Sequence, residues 1–585
     1  MEKDLRFKWA TEDLYKTCED WEKDFKAVSG KLDFSAYKGK LGDKTSLKEY
    51  LSASEKVSRA LEKLYLFAHM RHDENTKDSL FDSMLNRVMS VFVKFESETS
   101  FVVPELTSLD ESVLKSYIED EELKDYDYAL KCILKDKPHV LSESEEKLLS
   151  FSSEALSSFQ DIFSKIDNAD LPLKNFRYDG KTYPLSHGYY GVYMHDSDRN
   201  LRKKAFRTYY KAYTSLINVI SATYYGNVKK DAFYAKAKKY PSALAAAVAR
   251  EDVPVSVYKN LIKSVHKALP VLHEYMKEKK ACLGYDKMYC YDIYVPTVAD
   301  AELKMEYDDA YELVIKGLSP LGKEYGKLLK KAHDERWLDV YESDGKRSGA
   351  YSTGVYDSHP YVLLNYQKTT HDVFTIAHEM GHSIHSYFSQ NAQPYPKADY
   401  KIFVAEVAST VNEVLLIKYL LKEEKDVKMK KYLLSYLMEM IRTTLFRQTK
   451  FAEFEEYAHA SVEKGMPLTV ENMCKYYLKL HRKYYGKALT SSSEIKYEWA
   501  RIPHFYTAFY VYKYATGIIS ALSIADRILT EGDKAVKEYF AFLSSGSSAG
   551  PVELLKIAGV DLTTEKPFVN AFKVFEDALE EFKKL

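Results

Sequence analysis

In this 585-residue chain, the stretch 372–388 reads DVFTIAHEMGHSIHSYF. Its apolar residues recur at positions 373, 376 or 377, 380, 384, and 387 or 388. That spacing is typical of a helix that buries one face. Thr370 or Asp372 is available as the N-terminal cap. We therefore predict a helix that begins near Asp372.

The predicted helix carries His378, Glu379 and His382 in the order His-Glu-x-x-His. Residues four apart lie one turn apart on a helix, so both imidazoles can reach one metal ion. Glu379 projects from the adjacent face, where it can take a proton from an attacking water. A catalytic zinc generally has three protein ligands and one open position for water, so we expect a third ligand downstream.

Two well-known continuations of this motif do not supply the third ligand. A His-x-x-Gly-x-x-His continuation needs glycine at position 385 and histidine at position 388, where this chain has His385 and Phe388. A glutamate about twenty residues past the second histidine would fall at Ile402. His385 lies three residues past His382, and we interpret it as a structural or supporting histidine rather than a ligand.

Two carboxylates follow in the apolar stretch 400–413, which we predict to be helical. Glu406 and Glu413 are seven residues apart, so they face the same side of a helix. A carboxylate on so apolar a helix needs a partner, and a divalent cation would serve. We assign Glu406 as the third metal ligand. Glu413 either orients one of the imidazoles or supports the helix.

The whole chain has the composition of a mainly α protein. It contains only 16 prolines and 22 glycines. Helical spacing is clear over the stretches 47–65, 143–162, 201–224 and 427–446. Proline and glycine interrupt the pattern over 171–197 and 339–366, where we predict short β connections, including strands at 350–353 and 361–366.

These breaks give a prediction of domain organisation. We place an N-terminal helical lobe at 1–198 and a catalytic domain at 199–585. Within the catalytic domain, we expect the zinc core at about 345–415 and substrate-binding helices at about 495–520.

Charge and cysteine usage exclude several classes of protein. The chain has 85 basic and 86 acidic side chains, so its balance does not suggest a nucleic-acid or anionic-membrane partner. Its five cysteines are scattered and form no CxxC pair. The first six residues do not resemble a signal peptide, and no stretch reaches the roughly 18 apolar residues of a membrane span. We expect a cytoplasmic protein.

Five motifs carry a resemblance to a known family: the stretches 348–352, 359–366, 378–385, 403–409 and 502–506. Together they resemble the oligoendopeptidase F branch of the thimet oligopeptidase family of zinc peptidases. The resemblance extends to 9–21 and 196–206, so it spans nearly the full chain. It implies one zinc ion per chain with Glu406 as the third ligand. It also implies a mainly α, zincin-like body, with two lobes around a deep channel that admits short peptides and with a small β-sheet beside the HExxH helix.

A run of hydrogen-bond donors at 504–517 is the second candidate part of the site. On one continuous helix, Tyr506, Tyr510 and Tyr514 would align at four-residue spacing. The resemblance implies that a histidine and tyrosines of this region bind substrate and stabilise the transition state, and we carry those roles to His504, Tyr506 and Tyr510. Thimet-type enzymes have a glycine pair after the histidine that this chain lacks, so the tyrosine register stays open.

The predicted function is a zinc-dependent endopeptidase that cuts internal bonds of oligopeptides, with Glu379 as general base. Two alternatives stay open. One is a zinc carboxypeptidase or dipeptidyl carboxypeptidase, which also uses HExxH on a helical body. The other is a non-catalytic peptide-binding protein, which would have no need of Glu379. Cobalt or manganese could occupy the same ligands as zinc.

Overall fold

The structure is a computed structural model that describes residues 5–298 and 301–585. Residues 1–4, part of the stretch used in predicting the cellular location, lie outside the described residues. The described chain is mainly helical, as predicted, and divides into two compact units. The first unit comprises Met1–Val140, Glu302–Leu420 and Ile524–Val560; the second comprises Leu141–Ala301, Leu421–Ser523 and Asp561–Leu585. Each unit takes residues from both sides of the predicted boundary at 198, and that boundary stays a prediction.

The first unit is built from helices that begin near the N-terminus and resume after residue 302. Its helices are Cys18–Ser29, Lys44–Glu74, Ser79–Thr99, Val102–Ser108, Glu111–Ile118, Asp127–Asp136, Tyr307–Gly317, Gly322–Asp334, Thr370–Ala392, Tyr395–Ala398, Ile402–Glu423, Asp533–Leu543 and Pro551–Ile557. Short 3-10 turns lie at Leu5–Phe7, Thr11–Asp13, Ser35–Tyr37, Glu121–Tyr126, Lys137–His139 and Ser319–Leu321. Its hydrophobic core contains Trp9 and Trp21 from the N-terminal part of the chain and Tyr361 and Leu363 from a buried β-strand.

The second unit is also helical, with two very small sheets. Its helices are Glu143–Lys165, His187–His195, Arg199–Ser215, Ile217–Ala237, Ala243–Arg250, Val255–Cys282, Val427–Ile441, Arg447–Glu463, Val470–Tyr485 and Lys566–Lys584, with 3-10 turns at Cys290–Asp292, Ile495–Arg501 and Pro503–Tyr506 and π turns at Ile166–Asp170 and Arg442–Phe446. The helix Tyr512–Glu531 begins in this unit and continues into the first. The strands are a hairpin of Phe176–Tyr178 with Lys181–Tyr183, and a parallel pair of Met288–Tyr289 with Leu489–Thr490.

A three-stranded sheet in the first unit lies beside the predicted site. Its middle strand, Tyr361–Leu363, is fully buried and pairs parallel to Leu338–Asp339 and antiparallel to Tyr351–Thr353. The sheet therefore leaves Tyr351–Thr353 as an edge strand. The two strands predicted from sequence are both present, but the second ends at Leu363 rather than at residue 366. The third strand has only two residues, too few to show an alternating pattern.

The helix Thr370–Ala392, which we call the HExxH helix, contains the motif predicted to bind metal. Its N-cap is Thr369, whose side chain accepts a hydrogen bond from the backbone N–H of Asp372, while the Asp372 carboxylate accepts from Thr369. This capping box satisfies two N–H groups that the first turn leaves unpaired. The predicted caps, Thr370 and Asp372, were therefore wrong: the cap lies one residue earlier, and Asp372 supports it.

The helix Ile402–Glu423, which we call the glutamate helix, packs directly on the HExxH helix. Asn412 is fully buried and donates a hydrogen bond of 2.9 Å to the backbone carbonyl of Ala377. The hydroxyl of Tyr325 donates to the other side of the same amide, at 2.9 Å. A buried amide with both ends paired fixes the register between the two helices. Within the described residues, every helix is too short or too polar to cross a membrane.

Candidate metal centre and active site

His378, His382 and Glu406 lie close together in the first unit, as the sequence predicted. The Nε2 atoms of His378 and His382 are 3.2 Å apart. Oε2 of Glu406 lies 3.5 Å from Nε2 of His378 and 3.7 Å from Nε2 of His382. Among the described residues, this is the only cluster of three histidine, cysteine or acidic side chains with that compactness. The three atoms form a nearly equilateral triangle.

The triangle fits a tetrahedral zinc ion. Ligand atoms about 2.0–2.1 Å from zinc and separated by the tetrahedral angle lie about 3.3–3.4 Å from each other. The three observed edges of 3.2, 3.5 and 3.7 Å bracket that distance. The ligand side chains are 18–29 % exposed, which leaves room for the fourth position of a catalytic site. Two imidazoles and one carboxylate are a donor set that zinc accepts.

Each of the two imidazoles makes a further contact outside the ligand triangle. Nδ1 of His378 lies 2.6 Å from Oε1 of Glu413, and His382 is hydrogen-bonded to the backbone of Ala405. These contacts direct Nε2 of each ring toward the triangle. Burial lowers the pKa of His378, but its hydrogen bonds to Glu406 and Glu413 outweigh burial and raise the pKa well above its ordinary value. A divalent cation would take the place of the proton held there.

Glu379 lies next to the triangle and is only 7 % exposed. Burial raises the pKa of its carboxyl to about 7, and the charges of Glu406 and Glu413 act in the same direction. A hydrogen bond from the backbone of Ser352, on the edge strand, opposes this rise. The Ser352 hydroxyl also lies 2.8 Å from the hydroxyl of Ser383 on the HExxH helix. The edge strand is thus tied to the general-base candidate.

His385 lies away from the ligand triangle. It is 1 % exposed, and its ring stacks on Tyr400 with a centroid distance of 3.8 Å. Burial lowers the pKa of His385 to about 3, so the ring is neutral at neutral pH. These contacts agree with the structural interpretation of this histidine.

Two residues with clear contacts at the site were not singled out from the sequence. Asn412 sets the register of the two ligand-bearing helices, and Ser352 contacts Glu379 through its backbone. The polar Asn412 within the apolar stretch 400–413 was a usable signal, because a buried amide needs partners. The Ser352 contact uses a main-chain group, so no side-chain pattern could have indicated it.

The second group of predicted site residues lies in the second unit, and the structure does not place them on one continuous helix. A 3-10 turn at Pro503–Tyr506 ends before the helix Tyr512–Glu531 begins. Between them, Phe509 has a φ of +52°, which an α-helix cannot accommodate. The three tyrosines therefore do not share one helix face.

The break separates the buried Tyr506 from the half-buried Tyr510 and Tyr514. Tyr506 is 4 % exposed and stacks on Phe163, with ring centroids 4.3 Å apart. Its hydroxyl has no hydrogen-bond partner among the described residues. His504 is exposed and Tyr510 is half-buried; their rings lie 6.0 Å apart, and Tyr514 packs against both. Burial, aided by the charge of Arg447, lowers the pKa of His504. Thus His504 and Tyr510 are brought together, whereas Tyr506 belongs to the core.

Comparison with known proteins gives a consistent result along the whole chain. The sequence profile described as peptidase family M3 matches residues 192–574, and the one described as oligopeptidase F matches residues 105–172. Oligopeptidase PepF of Bacillus subtilis is 44 % identical over 99 % of this chain and 87 % of its own length.

Two solved structures are similar in both fold and sequence. A peptidase from Chlamydophila abortus superposes with a TM-score of 0.93 at 38 % identity, covering 100 % of this chain and 99 % of its own. Oligoendopeptidase F from Enterococcus faecium superposes with a TM-score of 0.76 at 33 % identity, covering 97 % of this chain and 98 % of its own.

Proposed function

This chain belongs to peptidase family M3, in its oligoendopeptidase F branch, and we propose that it hydrolyses internal peptide bonds of short oligopeptides using one zinc ion. Family membership makes it a metallopeptidase. The observation that carries the finer proposal is the triangle of His378, His382 and Glu406 beside the buried carboxyl of Glu379.

When bound by these three side chains, zinc supplies a Lewis acid that polarises the scissile carbonyl and acidifies the attacking water. Glu379 accepts the proton of that water as its oxygen attacks the carbonyl carbon, and then delivers the proton to the leaving amine. The buried position of Glu379 beside the three ligands suits it to both proton transfers. Glu413 keeps the ring of His378 oriented throughout.

Substrate binding is proposed for two further groups. An extended peptide can pair with the edge strand Tyr351–Thr353 through main-chain hydrogen bonds, which would tolerate many side chains. In the second unit, His504 and Tyr510 present a ring nitrogen and a hydroxyl on an accessible surface. We assign them hydrogen bonds to substrate, with Tyr510 or His504 as the donor to the oxyanion. Tyr506 supports this proposal less, because its hydroxyl is buried in the core.

Cleavage of a doubly blocked peptide separates this function from its alternatives. An internally quenched peptide of about ten residues, capped at both ends, would be incubated with the protein, with chelator, and with chelator followed by zinc. We expect internal cleavage that chelator abolishes and zinc restores. The same peptide with a free C-terminus is tested in parallel. A carboxypeptidase or dipeptidyl carboxypeptidase would cut only this second peptide, and a binding protein would cut neither peptide. Restoration by cobalt or manganese but not by zinc would contradict the choice of metal.

We place this activity in the cytoplasm. The five cysteines support the placement, since none of them forms a disulfide in the structure and reduced cysteines are usual there.

A further inference from the structure

The second unit contains a buried carboxyl that the proposed mechanism does not use. Glu455, on the helix Arg447–Glu463, is 0 % exposed. Its Oε1 atom accepts a hydrogen bond of 2.6 Å from the backbone N–H of Phe509. Its Oε2 atom has no partner within residues 5–298 and 301–585. Burying a carboxyl with half of its acceptor capacity unused is costly, so its one strong contact calls for an explanation.

That contact falls on the most strained residue of the region. Phe509 has a φ of +52°, in the left-handed region that bulky side chains rarely adopt. It lies between the 3-10 turn Pro503–Tyr506 and the helix Tyr512–Glu531, so it directs the chain from His504 to Tyr510. Such a conformation persists only where surrounding contacts enforce it. The bond from Glu455 is one such contact.

The ring of Phe509 packs against residues of two helices, Arg447–Glu463 and Val255–Cys282. It packs on His459 at a centroid distance of 4.5 Å and on Tyr258 at 5.6 Å. Nε2 of His459 lies 3.2 Å from Asp231, and its Nδ1 lies 2.9 Å from the backbone carbonyl of Glu455. Both ring nitrogens of His459 therefore face acceptors, which fixes its ring as one wall of the Phe509 pocket.

A second, weaker hydrogen bond contacts the main chain at Phe505, in the 3-10 turn that precedes Phe509. The side-chain amide of Asn227 donates to the backbone carbonyl of Phe505 at 3.4 Å, and also to Asp231 at 3.3 Å. The ammonium group of Lys230 in turn donates to the side-chain oxygen, Oδ1, of Asn227 at 2.7 Å. The main chain on both sides of Tyr506 is thus held by side chains from distant helices.

We propose that Glu455 is a positioning residue, which holds the turn at 507–511 through the N–H of Phe509 and so places Tyr510 and His504 for substrate. This inference rests on the proposed role of Tyr510 and His504 in binding substrate. A carboxyl oxygen is suited to the task, because Oε1 accepts the N–H of Phe509 whether the carboxyl is protonated or ionised. Glu455 affects the position of Tyr510 through the turn, and the hydroxyl of Tyr510 is the group that contacts the substrate.

Three substitutions of Glu455 in the zinc-loaded full-length protein test this role. Glu455→Met keeps length and apolar volume but removes the acceptor. Glu455→Gln keeps an acceptor oxygen and serves as the matched control. Glu455→Asp keeps a carboxyl that is one methylene too short, and it substitutes for Glu455→Met if that variant does not fold. Each is measured for kcat and KM on the blocked quenched peptide and for hydrogen–deuterium exchange over residues 505–512.

We expect Glu455→Met to lower kcat at least tenfold, to change KM less than threefold, and to speed exchange over 505–512. Glu455→Gln should keep kcat within threefold of the parent. In a Tyr510→Phe background, Glu455→Met should cost less than threefold, because the tyrosine through which it acts has already lost its hydroxyl. An equal kcat loss in both backgrounds, or unchanged exchange over 505–512, would overturn the proposal.

The design also separates this inference from the proposed function. A Tyr510→Phe variant that keeps full activity would overturn the role of Tyr510 and, with it, the link between the turn and activity. The exchange measurement does not depend on catalysis, so it still decides whether Glu455 holds the turn.

Discussion

A side chain at Gly381 would collide with the backbone of Ser409. A Cβ atom at Gly381 would lie 2.5 Å from Cα of Ser409 and 2.7 Å from the carbonyl oxygen of Ala408. Real Cβ contacts are not that short, so glycine is what allows the HExxH helix to approach the glutamate helix. The two helices carry all three proposed zinc ligands, and their separation therefore sets the size of the ligand triangle.

Gly381→Ala should therefore weaken both the fold and the metal site. We expect a loss of about 1–3 kcal/mol in the free energy of unfolding, because the helices must move apart to relieve the overlap. Zinc affinity should fall as well, since Glu406 moves away from the two imidazoles. Thermal unfolding and zinc titration measure the two effects. Gly326→Ala is the control, because no atom lies within 4 Å of a Cβ there. A mid-helix change of this kind should be neutral or stabilising by up to about 1 kcal/mol.

Glu413 should contribute to zinc affinity without touching the ion. Replacing it by glutamine removes the charge that faces Nδ1 of His378 while keeping the side-chain shape. We expect about 10–100-fold weaker zinc binding, with kcat largely recovered at saturating zinc. Competition with a chromophoric chelator gives the affinity. Glu423→Gln, at the exposed end of the same helix, should leave affinity unchanged. Equal effects of the two substitutions would reduce Glu413 to helix support.

The metal site could be predicted from sequence because its geometry is local. The four-residue spacing of His378 and His382 and the seven-residue spacing from Glu406 to Glu413 each lie within one helix, where periodicity fixes direction. Only the pairing of the two helices is non-local. The apolar stretch 400–413 indicated this pairing only indirectly, because a buried carboxylate needs a partner.

The tyrosine region could not be predicted in the same way. The break at Phe509 has no local signal, because nothing in the type of this residue favours a positive φ. Its contact, Glu455, lies 54 positions away along the chain. The same applies to Tyr506 and Tyr510: their spacing is helical, and only the tertiary contacts show that one is buried and the other accessible. The N-cap likewise could not be fixed from sequence, because Thr369 and the predicted Thr370 are adjacent residues of the same type.

Glu379→Gln should lower turnover strongly and leave the zinc site intact. The substitution removes the proton acceptor but keeps the volume of a side chain that is 7 % exposed. We expect kcat to fall by a factor of about 10²–10⁴, which is the usual contribution of a general base. Zinc content, measured by atomic emission on the purified protein, should match the parent. Turnover close to that of the parent would contradict the assignment of Glu379.

Tyr510→Phe and Tyr506→Phe should have opposite outcomes although both delete one hydroxyl. Loss of an oxyanion donor costs about 10²–10³ in kcat, and we expect a decrease of that order for Tyr510→Phe. The hydroxyl of Tyr506 is buried and has no partner among the described residues, so its removal should leave kcat within twofold. Because an unpaired buried hydroxyl is costly, Tyr506→Phe should also raise the melting temperature. A large loss of kcat in Tyr506→Phe would contradict this assignment and point to Tyr506, rather than Tyr510, as the oxyanion donor.

Glu455 should make the protein less stable as the pH rises toward 8. Burial raises the pKa of this carboxyl to about 8 in the folded state, against an ordinary value of 4.5. Between these values the folded state holds a proton that the unfolded state releases, so stability is complete below about pH 4.5 and is lost as pH rises to about 8. His459 acts in the same direction, because its hydrogen bond to Asp231 outweighs burial and raises its pKa.

Glutamine cannot ionise, so Glu455→Gln should remove the glutamate part of this pH dependence. Each pH unit in the window corresponds to about 1.4 kcal/mol, so the difference in unfolding free energy between the two proteins should change by about 2–3 kcal/mol from pH 5.5 to pH 7.5. Urea unfolding of both proteins at equal zinc saturation measures it, and taking the difference cancels the contribution of the metal ligands. Parallel stability curves for the two proteins would mean that Glu455 is ionised in the folded state throughout the window, which would remove burial as the dominant influence on its pKa.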